Sequence, residues 1–181
     1  MIVFLSMRRR PVTPAWRSTD FGRIRIPTIS TPGNFVWEYE PGFWLNKPSE
    51  VRQLIDAIGH PNFQVMFDTS HSYMGAVIGA RQAGEKQTLP GGIIEYAELL
   101  ADKIGAFHII DSDGTLHDEE TSTHTPFGEG RIDFAELLAT LAPHIADLEW
   151  WCVDFCFCRT TERDARKAIP FLRNVLARLG A

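Results

Sequence analysis

The sequence predicts an α/β fold of four parallel β-α units that form part of a (β/α)8 TIM barrel. From Phe35 onward, strand-like and helix-like segments alternate four times, and parallel strands need helical crossovers between them. Polar residues close all four strands, the end at which a barrel carries its chemistry. No Gly-rich dinucleotide fingerprint follows any strand, which argues against the competing open doubly wound sheet. A complete barrel needs about 250 residues. This chain has 181, so it is expected to be half of one, a truncated form.

Residues 1–34 read as an irregular leader, because Pro11, Pro14, Pro27 and Pro32 with scattered arginines make poor strand or helix material. Residues 35–181 are expected to form the half-barrel. Phe35 to Glu40 is strand-like and runs into Pro41-Gly42. Ser49 can cap a helix whose face is Val51, Leu54, Ile55 and Ile58, ended by Gly59. Phe63 to Phe67 is the next strand. A long loop with Gly75, Gly79, Gly84 and Pro90 follows, then a helix from about Ile93 to Ile104 ended by Gly105. Ala106 to Ile110 is a third strand. Asp133 and Glu136 suggest a capping box for a helix with Phe134, Leu137, Leu138 and Leu141 on one face and Pro143 near its end. Trp150 to Phe157 reads as a fourth strand. Thr160 or Thr161 opens a last helix, which Pro170 should kink or delay.

An apolar fraction of 44% supports a folded core. A net charge of -5 leaves no global basic field for nucleic acid or an anionic membrane, and Arg8, Arg9 and Arg10 read as a solvated tail. No run is long enough to span a membrane. Met1 to Met7 is far shorter than a signal-peptide core. Cys152, Cys156 and Cys158 lack zinc-ribbon spacing and read as free thiols. The expected location is cytoplasmic.

Glu40, Asp68, His108 and Asp154 each lie at or near the end of a strand. In a barrel those ends converge on one face, and carboxylates with an imidazole suit a divalent ion: Mn²⁺, Mg²⁺, Co²⁺ or Zn²⁺. His71, three residues past Asp68, could reach the same pocket. Glu38 shares a strand face with Glu40 and is a rival ligand. The loop after the third strand carries Asp111 and Asp113, which suit turns, then His117, which suits a solvated loop. His124 could brace the loop or meet a substrate or second metal, and Glu129 suits a turn as well as a ligand.

Four motifs occur in order: Glu40-Pro41 after FVWEYE, D-x-x-H at Asp68 and His71, FHIID, and H-x-P-F-G-E-G from His124 to Gly130, followed by Ile132-Asp133-Phe134. Together they resemble the xylose-isomerase-like TIM-barrel superfamily, which includes sugar isomerases, sugar 3-epimerases and endonuclease IV. The resemblance implies that the four strands are the fifth to eighth, the C-terminal half of the barrel. It implies a metal tetrad of Glu40, Asp68, His108 and, with Asp in place of the usual Glu, Asp154. It also implies proton exchange by Glu40 and Asp154, and substrate binding by His71, His124 and Glu129. The implied function is a divalent-metal-dependent isomerase or epimerase of a sugar or sugar phosphate, acting through an enediolate.

One rival within the superfamily is an endonuclease IV-like phosphodiesterase. Ser122 stands where that enzyme places a metal-binding Asp, and the acidic chain disfavours phosphate-backbone binding. Another rival is a non-catalytic fragment of a barrel enzyme. A half-sheet also leaves two open edges rich in aromatic and β-branched residues, so a homo-oligomer or aggregation is expected.

Overall fold

The computed structural model describes residues 35–149, 151–156, 158 and 161–180, so the expected leader at 1–34 lies outside the described residues. The elements run β1 (Phe35–Glu38), α1 (Pro48–Ile58), β2 (Phe63–Asp68), α2 (Thr69–Tyr73), α3 (Gly92–Leu100), β3 (Ile104–Ile109), β4 (Leu116–His117), β5 (Thr121–Ser122), α4 (Phe134–Ile145), β6 (Cys152–Val153) and α5 (Thr161–Arg178). The main sheet has the order β1-β2-β3-β6, with every pair parallel. Strands β4 and β5 form a separate antiparallel hairpin. This is the partial (β/α)8 arrangement that the alternation predicts.

Strand side chains alternate between faces. Phe63, Val65, Phe67, Phe107 and Ile109 join Val51, Ile55, Tyr96, Leu100, Leu137, Leu138, Leu141 and Leu172 in the helix-side core. Phe67 stacks on Phe107, which meets Trp151 edge to face. The residues between them on each strand face the other way, and these carry the polar groups.

Register decides which polar groups meet. Glu38 pairs with Met66, Asp68 with His108, and His108 with Cys152. A bulge lies between Val65 and Met66, whose partners are Ile104 and Ala106, so Gly105 is skipped. Without it Phe107 would stand opposite Asp68. The one-residue shift exchanges the faces of β3 and turns His108 toward Asp68. A Cβ on Gly105 would lie 2.5 Å from Gln64 Oε1 and 2.7 Å from Gln64 Cβ. Gly105 therefore serves the bulge and does not end a helix. The helix expected up to Ile104 stops at Leu100, followed by one 3-10 turn, and buried Ile104 begins β3.

Other boundaries differ for identifiable reasons. Strand β1 stops at Glu38 because Tyr39 turns into the core, where its hydroxyl meets Ser72 Oγ at 2.9 Å. The expected loop after β2 is instead α2 and a π-helical turn, Met74–Ile78. Asp68 starts α2 by accepting the His71 backbone N–H at 2.8 Å. Lys47, not Ser49, caps α1, and Ser49 Oγ donates to Gln87 Oε1. Gly59 ends α1 in a left-handed conformation, as its sequence context predicts. Asp133 caps α4 by accepting the backbone N–H groups of Ala135 and Glu136.

Strand β6 is only two residues long. The Asp154 carboxylate accepts the Cys156 backbone N–H at 2.8 Å, an Asx turn that bends the chain out of the sheet. Helix α5 continues through Pro170, which is exposed. Cys152, Cys156 and Cys158 are not joined in a disulfide. No helix among the described residues is long and apolar enough to cross a membrane.

Candidate metal centre

Glu38, Asp68, His108 and Asp154 each bring one donor atom into a group lying within 4.8 Å of one another. His108 Nδ1 lies 3.4 Å from Glu38 Oε1, 3.4 Å from Asp154 Oδ2 and 3.9 Å from Asp68 Oδ2. Glu38 Oε1, Asp68 Oδ2 and His108 Nδ1 are buried without a hydrogen-bond partner. Buried polar atoms are rarely left so. Three carboxylate oxygens and one imidazole nitrogen turned toward one point fit a divalent cation, which would satisfy all four at once.

The outer-strand carboxylate in this group is Glu38, not the expected Glu40. Both residues have the same parity, but β1 pairing ends at Glu38, and Glu40 lies beyond it in the turn that Phe43 N–H closes onto the Glu40 carbonyl. Glu40 remains at the site's edge. Its carboxylate shares a second group with Glu38 and His71, and its Oε2 accepts the Thr121 hydroxyl at 2.9 Å. Asp68, His108 and Asp154 stand in the tetrad as the sequence places them.

His71 and His124 line the adjoining wall, with ring centroids 5.3 Å apart. They group with Asp68 as a third donor set. His71 Nδ1 meets Ser122 Oγ at 2.6 Å, while His71 Nε2 faces Glu38 Oε1 at 3.9 Å. His124 Nδ1 meets the Asp154 carbonyl at 3.1 Å, and its Nε2 is buried without a partner.

Burial and charge pull these groups in opposite directions. Burial lowers the pKa of His71 to about 4, against the opposing charges of Glu38 and Glu40, so its ring is neutral at pH 7. Burial also disfavours the charged form of His108, but Asp154, Glu38 and Asp68 outweigh it and raise the pKa to about 10. In the metal-free chain, a proton on His108 thus takes the place a cation would fill. Burial raises the pKa of Asp68. The same desolvation acts on Asp154, but His108, His124 and the Cys156 N–H hold that carboxyl well below the usual range.

A single carboxylate organises the ligand-rich loop. Asp111 is 1% exposed and accepts four backbone N–H groups, from Ser112, Gly128, Gly130 and Ile132. A bridge between Asp111 and Thr125 delivers His124 to the site. Asp113 forms a turn by accepting from Thr115. Glu129 is exposed in the turn that its N–H closes onto the Pro126 carbonyl, and it joins none of the three donor groups. His117 is half-buried beside Asp118, also outside those groups.

Thr121, the contact of Ser122 with His71 and the loop-organising role of Asp111 are not legible in the sequence. The two hydroxyls contact residues 51 and 81 positions away in the chain, and no spacing rule reports such contacts. The glycine pair Gly128 and Gly130 is the one local signal for Asp111, since a Cβ on Gly130 would collide with its carboxylate.

Solved structures confirm the architecture. A xylose isomerase domain protein from Planctomyces limnophilus aligns with a TM-score of 0.55 at 16% identity, over 78% of this chain and 44% of its own. A D-tagatose 3-epimerase-like protein aligns at 0.56 and 20% identity, over 81% and 49%. The probable 3-DHS dehydratase AsbF of Bacillus anthracis, involved in petrobactin synthesis, aligns at 0.55 and 17%, over 77% and 49%. The likeness at these identities is one of fold, and the chain spans about half the length of each structure. No curated protein matches the sequence. The model of the xylose isomerase-like TIM barrel family matches residues 33–175, and the chain belongs to that family.

Proposed function

We propose that the chain carries the metal centre of a divalent-metal-dependent isomerase or epimerase of sugars or sugar phosphates. The convergence of Glu38, Asp68, His108 and Asp154, with three orphaned donor atoms, carries this reading. Mn²⁺, Mg²⁺, Co²⁺ or Zn²⁺ held there would stabilise negative charge developing on substrate oxygens. The fold neighbour named as D-tagatose 3-epimerase-like supports the reaction class.

The chain's own groups divide the remaining work. Glu40 lies at the edge of the tetrad, and its carboxylate takes a proton from the carbon beside the substrate carbonyl. Thr121 fixes one of its oxygens and leaves the other for that task. Asp154 is assigned the transfer on the opposite side, backed by His124. Returning the proton to the other face of the same carbon epimerises the sugar, and returning it to the neighbouring carbon isomerises it. His71 donates a hydrogen bond to substrate oxygen from Nε2, its Nδ1 being engaged by Ser122. The β4-β5 hairpin screens this wall from water through the Thr121, Ser122 and Thr123 contacts.

Among the described residues, strands β1 and β6 form the edges of the sheet, and a second copy of the chain is the partner these edges would take. The test is metal titration with solvent-deuterium exchange into a ketose. Glu38→Gln is expected to lose both Mn²⁺ and exchange, whereas Glu40→Gln keeps Mn²⁺ and loses exchange. A wild-type chain that binds no divalent ion ends the proposal.

One observation favours an endonuclease IV-like reading: the second buried donor set, Asp68, His71 and His124. Ser122 meets His71 there through a hydroxyl, where that reading requires a carboxylate. Three zinc ions per chain would support the nuclease, and one the isomerase.

A further inference from the structure

We propose that Arg81 forms an anion-binding subsite at the mouth of the metal centre, so that the substrate is a sugar derivative ending in a phosphate or carboxylate. The proposal rests on the isomerase reading for the metal-bound end of the substrate and adds the recognition of its far end.

Arg81 is tied to both sides of the Glu40–Thr121 hydrogen bond. Its Nη1 donates to the carbonyl of Glu120, the residue before Thr121, at 2.9 Å. Its guanidinium lies over Gly42, two residues beyond Glu40, where a Cβ would stand 3.0 Å from Arg81 Cζ and 3.1 Å from Nε. Asn46 Nδ2 links the Glu40 carbonyl, at 3.3 Å, to that of Ala80, at 3.4 Å, binding the segment before Arg81 to the same place. Glu40 in turn shares a donor group with Glu38 and His71. A cation therefore touches the chain two residues beyond the proposed catalytic carboxylate and one residue before the threonine that bonds it.

The local backbone is unusual. Arg81 has φ 53°, and Leu45, the residue before Asn46, has φ 61°. Left-handed conformations in non-glycine residues persist where the surroundings enforce them, and they gather at ligand clamps. A guanidinium offers five donors in a fork that matches a phosphate or carboxylate. Among the described residues, the Arg81 guanidinium donates to the Glu120 carbonyl, and no carboxylate lies within ion-pair distance of it. Charge sets the direction. Glu38, Glu40, Asp68 and Asp154 surround the reacting end and repel an anionic group there. An anionic tail is favoured away from these carboxylates, toward Arg81.

Arg81→Gly is the suitable variant, because glycine adopts φ 53° without strain. Calorimetric titration of the full Mn²⁺-loaded chain would use D-xylulose 5-phosphate, D-gluconate and neutral D-xylulose. At least one anionic probe is expected to bind about tenfold or more tighter than D-xylulose, and the probe preferred separates a phosphate from a carboxylate source. Arg81→Gly is expected to remove that advantage, while D-xylulose and Mn²⁺ affinities stay unchanged. Arg81→Lys should restore part of it. Equal affinity for neutral and anionic probes, or an anion preference surviving in Arg81→Gly, overturns the subsite. Failure to bind Mn²⁺ would sink the isomerase reading alone. Inorganic phosphate titrated into the metal-free chain then decides the subsite, through binding that Arg81→Gly abolishes or leaves intact.

Discussion

The inner strands β2 and β3 hold their ligands by register inside the sheet, and the outer strands hold theirs at its margin: Glu38 is the last paired residue of β1, and Asp154 follows the last paired residue of β6. Asp68 and His108 are paired residues of two six-residue strands, and Asp68 is fully buried. The Thr69 hydroxyl extends that ladder by one step, donating to the Ile110 carbonyl and accepting its N–H. Glu38 ends a strand of four residues, and Asp154 comes directly after a strand of two. Asp154 is placed by its own Asx turn and by His124. Inner ligands are thus built into the sheet, Glu38 takes its last paired position, and Asp154 is set by contacts that a single substitution can undo.

The largest effect should come from the loop that leaves the inner pair. Asp111→Ala removes the acceptor for four backbone N–H groups in a buried site. We expect a loss of about 3–5 kcal/mol by urea denaturation. A loss below about 1 kcal/mol would show that water replaces the carboxylate.

The bulge comes next. Gly105→Val drives a side chain into Gln64, at about 2–3 kcal/mol. Mn²⁺ binding should disappear with it, because removing the bulge turns Phe107 toward Asp68. A destabilised variant that still binds Mn²⁺ normally would separate the bulge from the site.

A third pair of variants should give opposite signs. Asp68 has a raised pKa, so the folded metal-free chain binds more protons there than the unfolded chain. Its stability falls as pH rises above the ordinary carboxylate range. Asp68→Asn keeps the cap oxygen, should remove that slope and should stabilise the metal-free chain by about 1 kcal/mol at pH 7. Asp154 has a depressed pKa, so its contribution is full above the unfolded value and is lost as pH falls through the lower folded one. Asp154→Asn should destabilise by about 1–2 kcal/mol at pH 7. Both variants should lose Mn²⁺. Thermal melts in EDTA from about pH 4 to 8 would test the signs, and equal signs would erase the distinction between inner and outer ligands.

The smallest effect belongs to the surface. Arg52 bridges Asp56, within α1, at 2.7 Å and Asp102, in the turn before β3, at 2.6 Å. Arg52→Ala should cost under about 1 kcal/mol, shrink further in salt, and leave Mn²⁺ affinity unchanged.

Much of the architecture is legible in the sequence because apolar alternation is local. The runs FQVMF and FHII announce β2 and β3, and leucine spacing announces α4. Glycine is harder to read. Gly59 ends α1 as glycine spacing suggests, whereas Gly105 makes a bulge, since the same residue serves both uses and only its strand partner distinguishes them. Helix α2 leaves no such trace, because Thr69–Tyr73 has no apolar stripe. It forms because Asp68 caps it and the core buries Thr69, Ser70 and Ser72.

The sequence alone determined the parallel β-α alternation and the delivery of Asp68, His108 and Asp154 to the ends of their strands, because hydrophobic period and strand parity are properties of neighbours along the chain. Tertiary structure decided between Glu38 and Glu40. The two share parity, so no periodicity separates them, and what does is the point where β1 leaves the sheet as Tyr39 turns toward Ser72. It also decided that Ser122 engages His71, that Thr121 engages Glu40 and that Arg81 stands beyond them. Those contacts join loops separated by dozens of residues, and only the packing of the hairpin against the strand ends brings them together.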